Sequence, residues 1–170
     1  MIVVGTTPGR ENWLAQCLAS IKRPVLVLSD FTFELGKFNW IMQNTKIDRF
    51  MYLADSVVVK NDRLFEMLDE KGSIAFSSDP GIYGMYLGIY ERKVLEQIDI
   101  PYPKDKKEVI EYELSWTQTY AQVAKNVRIA FDNLTDAKSK RKEVLFGRNN
   151  LVLENDFLIK YKGHWGQPVV

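Results

Sequence analysis

The apolar residues of this chain occur in short continuous runs separated by amphipathic stretches and turn residues. Runs at 2–4, 25–28 and 50–53 are typical of strands buried on both faces. Between the first two runs, apolar residues recur at helical spacing and predict a helix that Pro24 ends: Trp13, Leu14, Cys17, Leu18 and Ile21. The first third of the chain therefore alternates strand and helix.

The remaining residues continue the alternation. A helix capped by Asn61 or Asp62 and closed by Gly72 is predicted, followed by strands at 74–76, 85–90 and 127–131, a short helix at 92–98 and a longer one at about 107–125. Residues 150–165 show a less regular pattern. Alternating strands and helices predict an α/β fold, and 170 residues suffice for one domain with a mostly parallel central sheet flanked by helices.

Polar residues follow three of the predicted strands, at the point where each strand ends. They are the segment 6–10, the pair Ser29–Asp30 and the pair Asp55–Ser56. Ligands of open α/β sheets bind outside the carboxyl ends of the strands, so these segments could line one crevice. The alternative is that they are ordinary polar loops.

Composition narrows the classes of function. With 23 basic and 22 acidic residues the net charge is +1, which gives no general attraction to nucleic acid or membranes. The single cysteine, Cys17, excludes an intrachain disulfide and is expected to be a buried thiol. No apolar run has the length of a signal peptide core or a membrane span, so a cytoplasmic location is expected. The basic run at 138–142 is either a solvated loop or a phosphate clamp.

The order of these segments resembles a known enzyme family. Residues 3–10, VVGTTPGR, and the helix after them resemble the opening of GT-A glycosyltransferases, especially the large inverting family 2. Residues 27–30, VLSD, are similar to the family's second strand, and 50–57, FMYLADSV, to its strand ending in the Asp-x-Asp metal motif. Residues 84–95 look like its acceptor-side segment, and 161–165, YKGHW, like the His-Trp signature of some members.

The resemblance implies a nucleotide-sugar donor, with uridine diphosphate as the expected carrier, in a nucleotide-binding half at about 1–60. The acceptor half and C-terminal tail then cover about 61–170. The expected donor-binding residues are Thr6, Pro8, Arg10, Ser29, Asp30, Ala54, Asp55, Lys162 and Trp165.

A divalent cation, Mn²⁺ or Mg²⁺, is implied as the group that neutralises the departing diphosphate, with Asp55 and His164 as its ligands. The chain departs from the family here, because Ala54 and Ser56 flank Asp55 and leave one carboxylate. Neutralisation without metal by Arg10, Lys160 or Lys162 is the alternative.

Inverting transfer needs a base for the acceptor hydroxyl proton, and the family places a carboxylate near the start of a helix after the acceptor segment. Glu113 is the first candidate, because it shares a predicted helix face with Trp116 and Tyr120. Glu111 is the second, and Asp79, in a predicted loop at 77–81, is the third.

The sequence thus predicts a hexosyltransferase acting from a nucleotide-sugar on an acceptor hydroxyl, with no membrane partner. The acceptor stays open between a glycan and a modified DNA base, the latter by analogy with phage enzymes and from the basic run. Two alternatives of other classes are a non-catalytic nucleotide-binding module and a nucleotidyltransferase.

Overall fold

The computed structural model of the protein describes residues 1–79, 82–83, 87–131 and 151–161. The strands are β1 (Ile2–Thr6), β2 (Val25–Ser29), β3 (Arg49–Ala54), β4 (Val57–Val59), β5 (Ser73–Asp79), β6 (Ile82–Tyr83), β7 (Leu87–Glu91), β8 (Val127–Phe131), β9 (Leu151–Glu154) and β10 (Leu158–Tyr161). The helices are α1 (Glu11–Ala19), α2 (Phe33–Asn44), α3 (Arg92–Leu95) and α4 (Lys106–Ala124), with a 3₁₀ helix at Asp62–Leu68.

The described strands β1–β3 and β5–β8 form one seven-stranded sheet. Its order is β2-β1-β3-β7-β5-β6, and β8 also pairs with β5. The pairs β1–β2, β1–β3 and β5–β8 are parallel, whereas β7 is antiparallel to both β3 and β5, and β6 is antiparallel to β5. Five of the seven strands therefore run in the same direction, which confirms the predicted α/β class and mostly parallel sheet.

Helices cover both faces of this sheet, and each face has its own apolar core. On one face, Cys17 and Ile21 from the α1 region pack with Leu64 and Phe65 of the 3₁₀ helix. On the other face, side chains of α2, α3 and α4 pack with those of the strands, as in the aromatic group of Phe38, Phe50, Tyr90, Trp116 and Tyr120. No helix in the described part of the chain is long and apolar enough to cross a membrane.

A second sheet has the strand order β4-β10-β9. Its strand β4 begins three residues after the end of β3, which belongs to the first sheet. Its β9–β10 hairpin turns at Asn155, whose side chain accepts hydrogen bonds from the backbone N–H groups of Phe157 and Leu158 (2.8 and 3.0 Å). The less regular pattern at 150–165 predicted no strand, whereas the described residues 151–161 form this hairpin. The hairpin brings β10 alongside β4, next to the end of β3.

The helix α2 was not predicted from the sequence either. Gly36 and several aromatic residues give this segment a low intrinsic helix propensity, and packing stabilises it instead. Leu35, Phe38 and Ile41 lie on one face and are almost completely buried. The predicted loop at 77–81 is corrected as well, because β5 extends through Asp79, which pairs with Ile82.

Candidate functional site

The three predicted strand-end segments lie together at one edge of the sheet. In the parallel register Thr6 is level with Ser29, and Gly5 is level with both Leu28 and Ala54. The backbone N–H of Asp55 donates to the carbonyl of Gly5 (3.0 Å), and that of Asp30 donates to Thr6 (3.4 Å). This edge, made by the carboxyl ends of β1, β2 and β3, is called the carboxyl edge below.

The Asp55 carboxylate is the centre of the polar contacts at the carboxyl edge. Arg10 donates to it from Nε to Oδ2 and from Nη2 to Oδ1, both at 2.6 Å, and the Thr6 hydroxyl donates to Oδ2 at 2.7 Å. The side chain of Asp55 is 4% exposed and that of Arg10 is 10% exposed. A two-point, charge-assisted contact of this kind fixes the orientation of both groups.

A buried lysine from the second sheet lies beside this ion pair. Lys160, on β10, donates from Nζ to the Ser56 hydroxyl and to the Tyr161 carbonyl (2.8 Å). Burial lowers the pKa of the Lys160 ammonium to about 8, against the opposing effect of the nearby Asp55 carboxylate. From the sequence, Lys160 was predicted only as a possible substitute for a metal, because the pairing of β10 with β4 was not foreseen.

Asp30 lies in the turn between β2 and α2, where its side chain accepts several hydrogen bonds. Its Oδ1 accepts from the backbone N–H and hydroxyl of Thr32 (2.8 and 2.6 Å) and from the buried Nζ of Lys37 (3.0 Å). Burial acts to raise the pKa of Asp30, but these hydrogen bonds and the Lys37 charge outweigh it and lower that pKa. The next residue, Phe31, is 70% exposed, and Phe33 has a left-handed φ of 59°.

The floor of the carboxyl edge requires a glycine in β1. A Cβ built on Gly5 would lie 1.8 Å from the hydroxyl of Tyr52 and 2.9 Å from Cδ of Lys37. Burial raises the pKa of Tyr52 well above its ordinary value, so this phenol is neutral. Gly5 therefore allows a buried tyrosine and a buried lysine to pack directly against β1.

Trp13 completes the surroundings of Arg10. The Arg10 guanidinium carbon lies 5.7 Å from the centroid of the Trp13 ring, and the Tyr161 ring lies 5.7 Å from it on a tilted plane. Trp13 is 7% exposed, yet its indole N–H has no hydrogen-bond acceptor within the described ranges. Buried N–H groups normally have a partner, which makes this one notable.

The other predicted donor-site residues divide into two groups. Pro8 and Ser29 are exposed at the carboxyl edge, and Ala54 is half-buried there. Lys162, His164 and Trp165 lie outside the described residues, as does the basic run at 138–142. The structure thus brings together Thr6, Pro8, Arg10, Ser29, Asp30, Ala54 and Asp55, and their binding of a nucleotide stays a prediction.

The three candidate bases lie on two elements, Glu111 and Glu113 on α4 and Asp79 at the end of β5. Glu111 is exposed on α4. Glu113 also belongs to α4, which runs antiparallel to β5: Tyr120, near the end of α4, bonds to Ser73 at the beginning of β5 (2.7 Å), and α4 also contacts β6, which pairs with the end of β5. Glu113 precedes Tyr120 by seven residues, about 10 Å of helix, toward the carboxyl edge.

Asp79 ends β5, which runs in the same direction as β3 with β7 between them. Two strand spacings put the axes of β3 and β5 about 10 Å apart. Asp79 therefore ends its strand at the carboxyl edge, on the side away from β1 and β2. Asp79 and Glu113 thus lie in the half of β5 and α4 nearer the carboxyl edge, and the role of either as base stays a prediction.

The described residues do not fit the predicted divalent cation in this arrangement. Both oxygens of Asp55 accept from Arg10, and the ammonium of Lys160 lies nearby. Among the described residues no group of three His, Cys, Asp or Glu side chains could hold a metal ion. Hard cations prefer several oxygen ligands, whereas this site presents one carboxylate bound to a guanidinium. The metal site formed with His164 stays a prediction.

Comparison with known proteins shows a similarity of fold and no family relationship. No protein-family model and no curated protein sequence matches the chain. Among solved structures, the chain is similar to the glycosyltransferase GlyE of Streptococcus pneumoniae TIGR4, with a TM-score of 0.54 and 12% identity over 99% of this chain and 57% of GlyE. It spans less than two thirds of GlyE. A197 from STIV is also similar, with a TM-score of 0.49 and 10% identity over 96% and 95% of the two chains.

The likeness to GlyE shows a glycosyltransferase-like fold. At 12% identity it does not extend to donor or acceptor, and those belong to the proposal that follows.

Proposed function

We propose that this protein is a glycosyltransferase that moves a hexose from a nucleotide-sugar, with uridine diphosphate as carrier, to an acceptor hydroxyl. The observation that supports the proposal most strongly is the convergence of Arg10, Asp30 and Asp55 at the carboxyl edge of a glycosyltransferase-like sheet. Ligands of open α/β sheets bind at that edge.

Each of these groups suits one part of such a donor. Asp30 carries an ionised carboxylate, which accepts hydrogen bonds from ribose hydroxyls or a base N–H. Arg10 and Lys160 are cations at the adjoining strand end, where the diphosphate would lie. The proposed nucleotide-binding half is therefore about 1–60, joined by β10 from the C-terminal part.

The proposed reaction forms a bond between the acceptor oxygen and the anomeric carbon of the sugar. The bond from that carbon to the diphosphate oxygen breaks, and its electron pair leaves on the diphosphate. The acceptor hydroxyl proton passes to a carboxylate, for which Glu113, Asp79 and Glu111 are the candidates. Positive groups that contact the departing diphosphate lower the barrier, because charge develops there in the transition state.

The acceptor is proposed to be a glycan hydroxyl or a hydroxyl on a modified DNA base, bound by the part of the chain after about residue 61. A non-catalytic nucleotide-binding module is the second candidate. One observation favours this module: Arg10 donates hydrogen bonds to both oxygens of Asp55. In GT-A glycosyltransferases the corresponding carboxylates are open to a metal ion.

A panel of nucleotide-sugars tests the proposal. Thermal shift with uridine-, guanosine-, adenosine- and thymidine-linked hexoses, each with Mn²⁺ and with chelator, is expected to show stabilisation by a uridine-linked donor. Free nucleoside diphosphate released with that donor is then measured against time. Binding with release supports the transferase, and binding without release under any acceptor supports the module. No stabilisation by any nucleotide-sugar would contradict both.

A further inference from the structure

We propose that Arg10, Lys160 and the indole N–H of Trp13 form a metal-free binding site for a diphosphate. This inference rests on the proposed function for the identity of the natural ligand, a nucleotide-sugar. It assigns to side chains of the protein the charge-neutralising role that the sequence resemblance gives to a divalent cation.

The contact between Arg10 and Asp55 occupies the position expected for a metal ion. Asp55 stands where the resemblance puts a metal ligand, but its two oxygens hold a guanidinium in a fixed orientation. A guanidinium presents five N–H donors in a rigid fork and binds phosphate oxygens readily. Asp55 therefore acts as the positioning residue for a cation that belongs to the chain itself.

Lys160 supplies a second cation from a different sheet. Its Nζ is tied to the Ser56 hydroxyl and the Tyr161 carbonyl, immediately beyond Asp55. Only the antiparallel pairing of β10 with β4, which makes Lys160 level with Val57, brings this ammonium to the end of β3. Beside these groups a divalent ion would meet two like charges and one carboxylate that already binds Arg10, whereas a diphosphate would meet two opposite charges and that one carboxylate.

Trp13 gives an observation that does not depend on charge. A buried indole N–H without an acceptor costs free energy, because it has lost its bond to water. Trp116 shows the usual arrangement, for it is equally buried but donates to the carbonyl of Asp99 at 2.9 Å. Trp13 instead lies against Arg10 and Tyr161. A phosphate oxygen bound beside Arg10 would provide its acceptor.

The test follows the indole N–H signals by NMR during titration with inorganic pyrophosphate and with uridine diphosphate, both in excess chelator. The Trp13 signal, assigned through Trp13→Phe, is expected to move downfield with both ligands. The Trp116 signal is the internal control and is expected to stay in place, because its N–H already has a partner. Uridine, which lacks phosphate, is expected to leave the Trp13 signal unchanged.

Two variants test the charge of Lys160. Lys160→Met and Lys160→Gln remove the charge, and Gln keeps a polar group for Ser56 if Met disturbs folding. Each is expected to lower the affinity for pyrophosphate about tenfold or more, as for loss of one charge-assisted hydrogen bond. Lys93→Met is the matched control, since Lys93 is 73% exposed, and it is expected to bind as the wild type does.

The outcomes separate this inference from the proposed function. Pyrophosphate binding in chelator that depends on Lys160 supports the diphosphate site even if no nucleotide-sugar is turned over. Uridine diphosphate binding that requires Mn²⁺ and is lost in Asp55→Ala and His164→Ala overturns the inference and leaves the glycosyltransferase standing. Unchanged affinity in both Lys160 variants, or a static Trp13 signal with a bound diphosphate, also overturns it.

Discussion

Arg10 holds both carboxylate oxygens of Asp55, with two nitrogen-to-oxygen distances of 2.6 Å, across the gap between the loop after β1 and the end of β3. The residues are 45 positions apart in the chain, and the contact ties the first strand-end segment to the third. The Thr6 hydroxyl adds a third hydrogen bond to the same carboxylate. The carboxyl edge thus holds the Arg10 guanidinium in a preorganised orientation.

Asp30→Asn is expected to weaken uridine diphosphate binding by about 1–3 kcal/mol, since it removes a charged hydrogen-bond acceptor for the nucleoside. Isothermal titration calorimetry measures the change. Asn keeps an oxygen for the Thr32 contacts but loses the ion pair with Lys37, so thermal unfolding of the variant is measured in parallel. Equal affinity in wild type and Asp30→Asn would remove Asp30 from the donor site.

Glu113→Gln is expected to lower kcat about 10²-fold or more while leaving donor affinity nearly unchanged, because the amide cannot accept the acceptor proton. Initial rates of nucleoside diphosphate release check this. Glu111→Gln is measured in parallel, because Glu111 is the second candidate base on the same helix, and Glu96→Gln, at an exposed position directly after α3, is the control. A full rate in Glu113→Gln with a loss in Asp79→Asn would transfer the role to the residue that ends β5.

Gly5→Ala is expected to lower the free energy of unfolding by about 1–3 kcal/mol, the usual cost of forcing an extra carbon into a packed interior. The new Cβ would overlap the Tyr52 hydroxyl, which cannot move without displacing Lys37 or the strand. Urea denaturation measures the effect. In Gly5→Ala combined with Tyr52→Phe, the clash with the hydroxyl disappears, and part of the loss is expected to be recovered.

Cys17 is expected to be inert to thiol reagents at pH 8 in the folded protein. It is completely buried, and burial raises the pKa of its thiol to about 12. In the unfolded chain the thiol releases its proton at about pH 8.5, so above that pH the folded state binds more protons than the unfolded state. The contribution of this thiol to the free energy of unfolding is therefore lost as the pH rises toward 12. Labelling with a disulfide reagent, with and without urea, checks the accessibility. Rapid labelling without urea would contradict the burial.

Much of the sheet could be predicted from the sequence, because its strands are short continuous apolar runs, a pattern typical of buried strands. The bounds of β8, at Val127–Phe131, agree with the predicted strand, and α4 begins one residue before its predicted start. The Asp105 side chain caps α4 by accepting from the N–H groups of Lys107 and Glu108. Local signals of this kind can be recognised in the sequence alone.

What the sequence did not predict depends on long-range packing. The helix α2 contains a glycine, and its stability comes from Leu35, Phe38 and Ile41 buried against a sheet formed by other parts of the chain. Lys160 reaches the candidate site only through a strand pairing across about one hundred residues. That the three polar segments meet at the carboxyl edge was predictable, because the ends of parallel strands align. The two hydrogen bonds from Arg10 to Asp55 were not predictable.

The measurement that tests the central claim most directly is a map of backbone amide shifts in the ¹H–¹⁵N spectrum of the wild-type protein during titration with uridine diphosphate. The account predicts that the largest shifts cluster at the carboxyl edge, in residues 6–10, 29–32 and 54–56, and extend to Lys160 on β10. Shifts confined to the opposite edge of the sheet, around Ser73 and Glu91, or no shifts at saturating ligand, would contradict a donor site at the carboxyl edge.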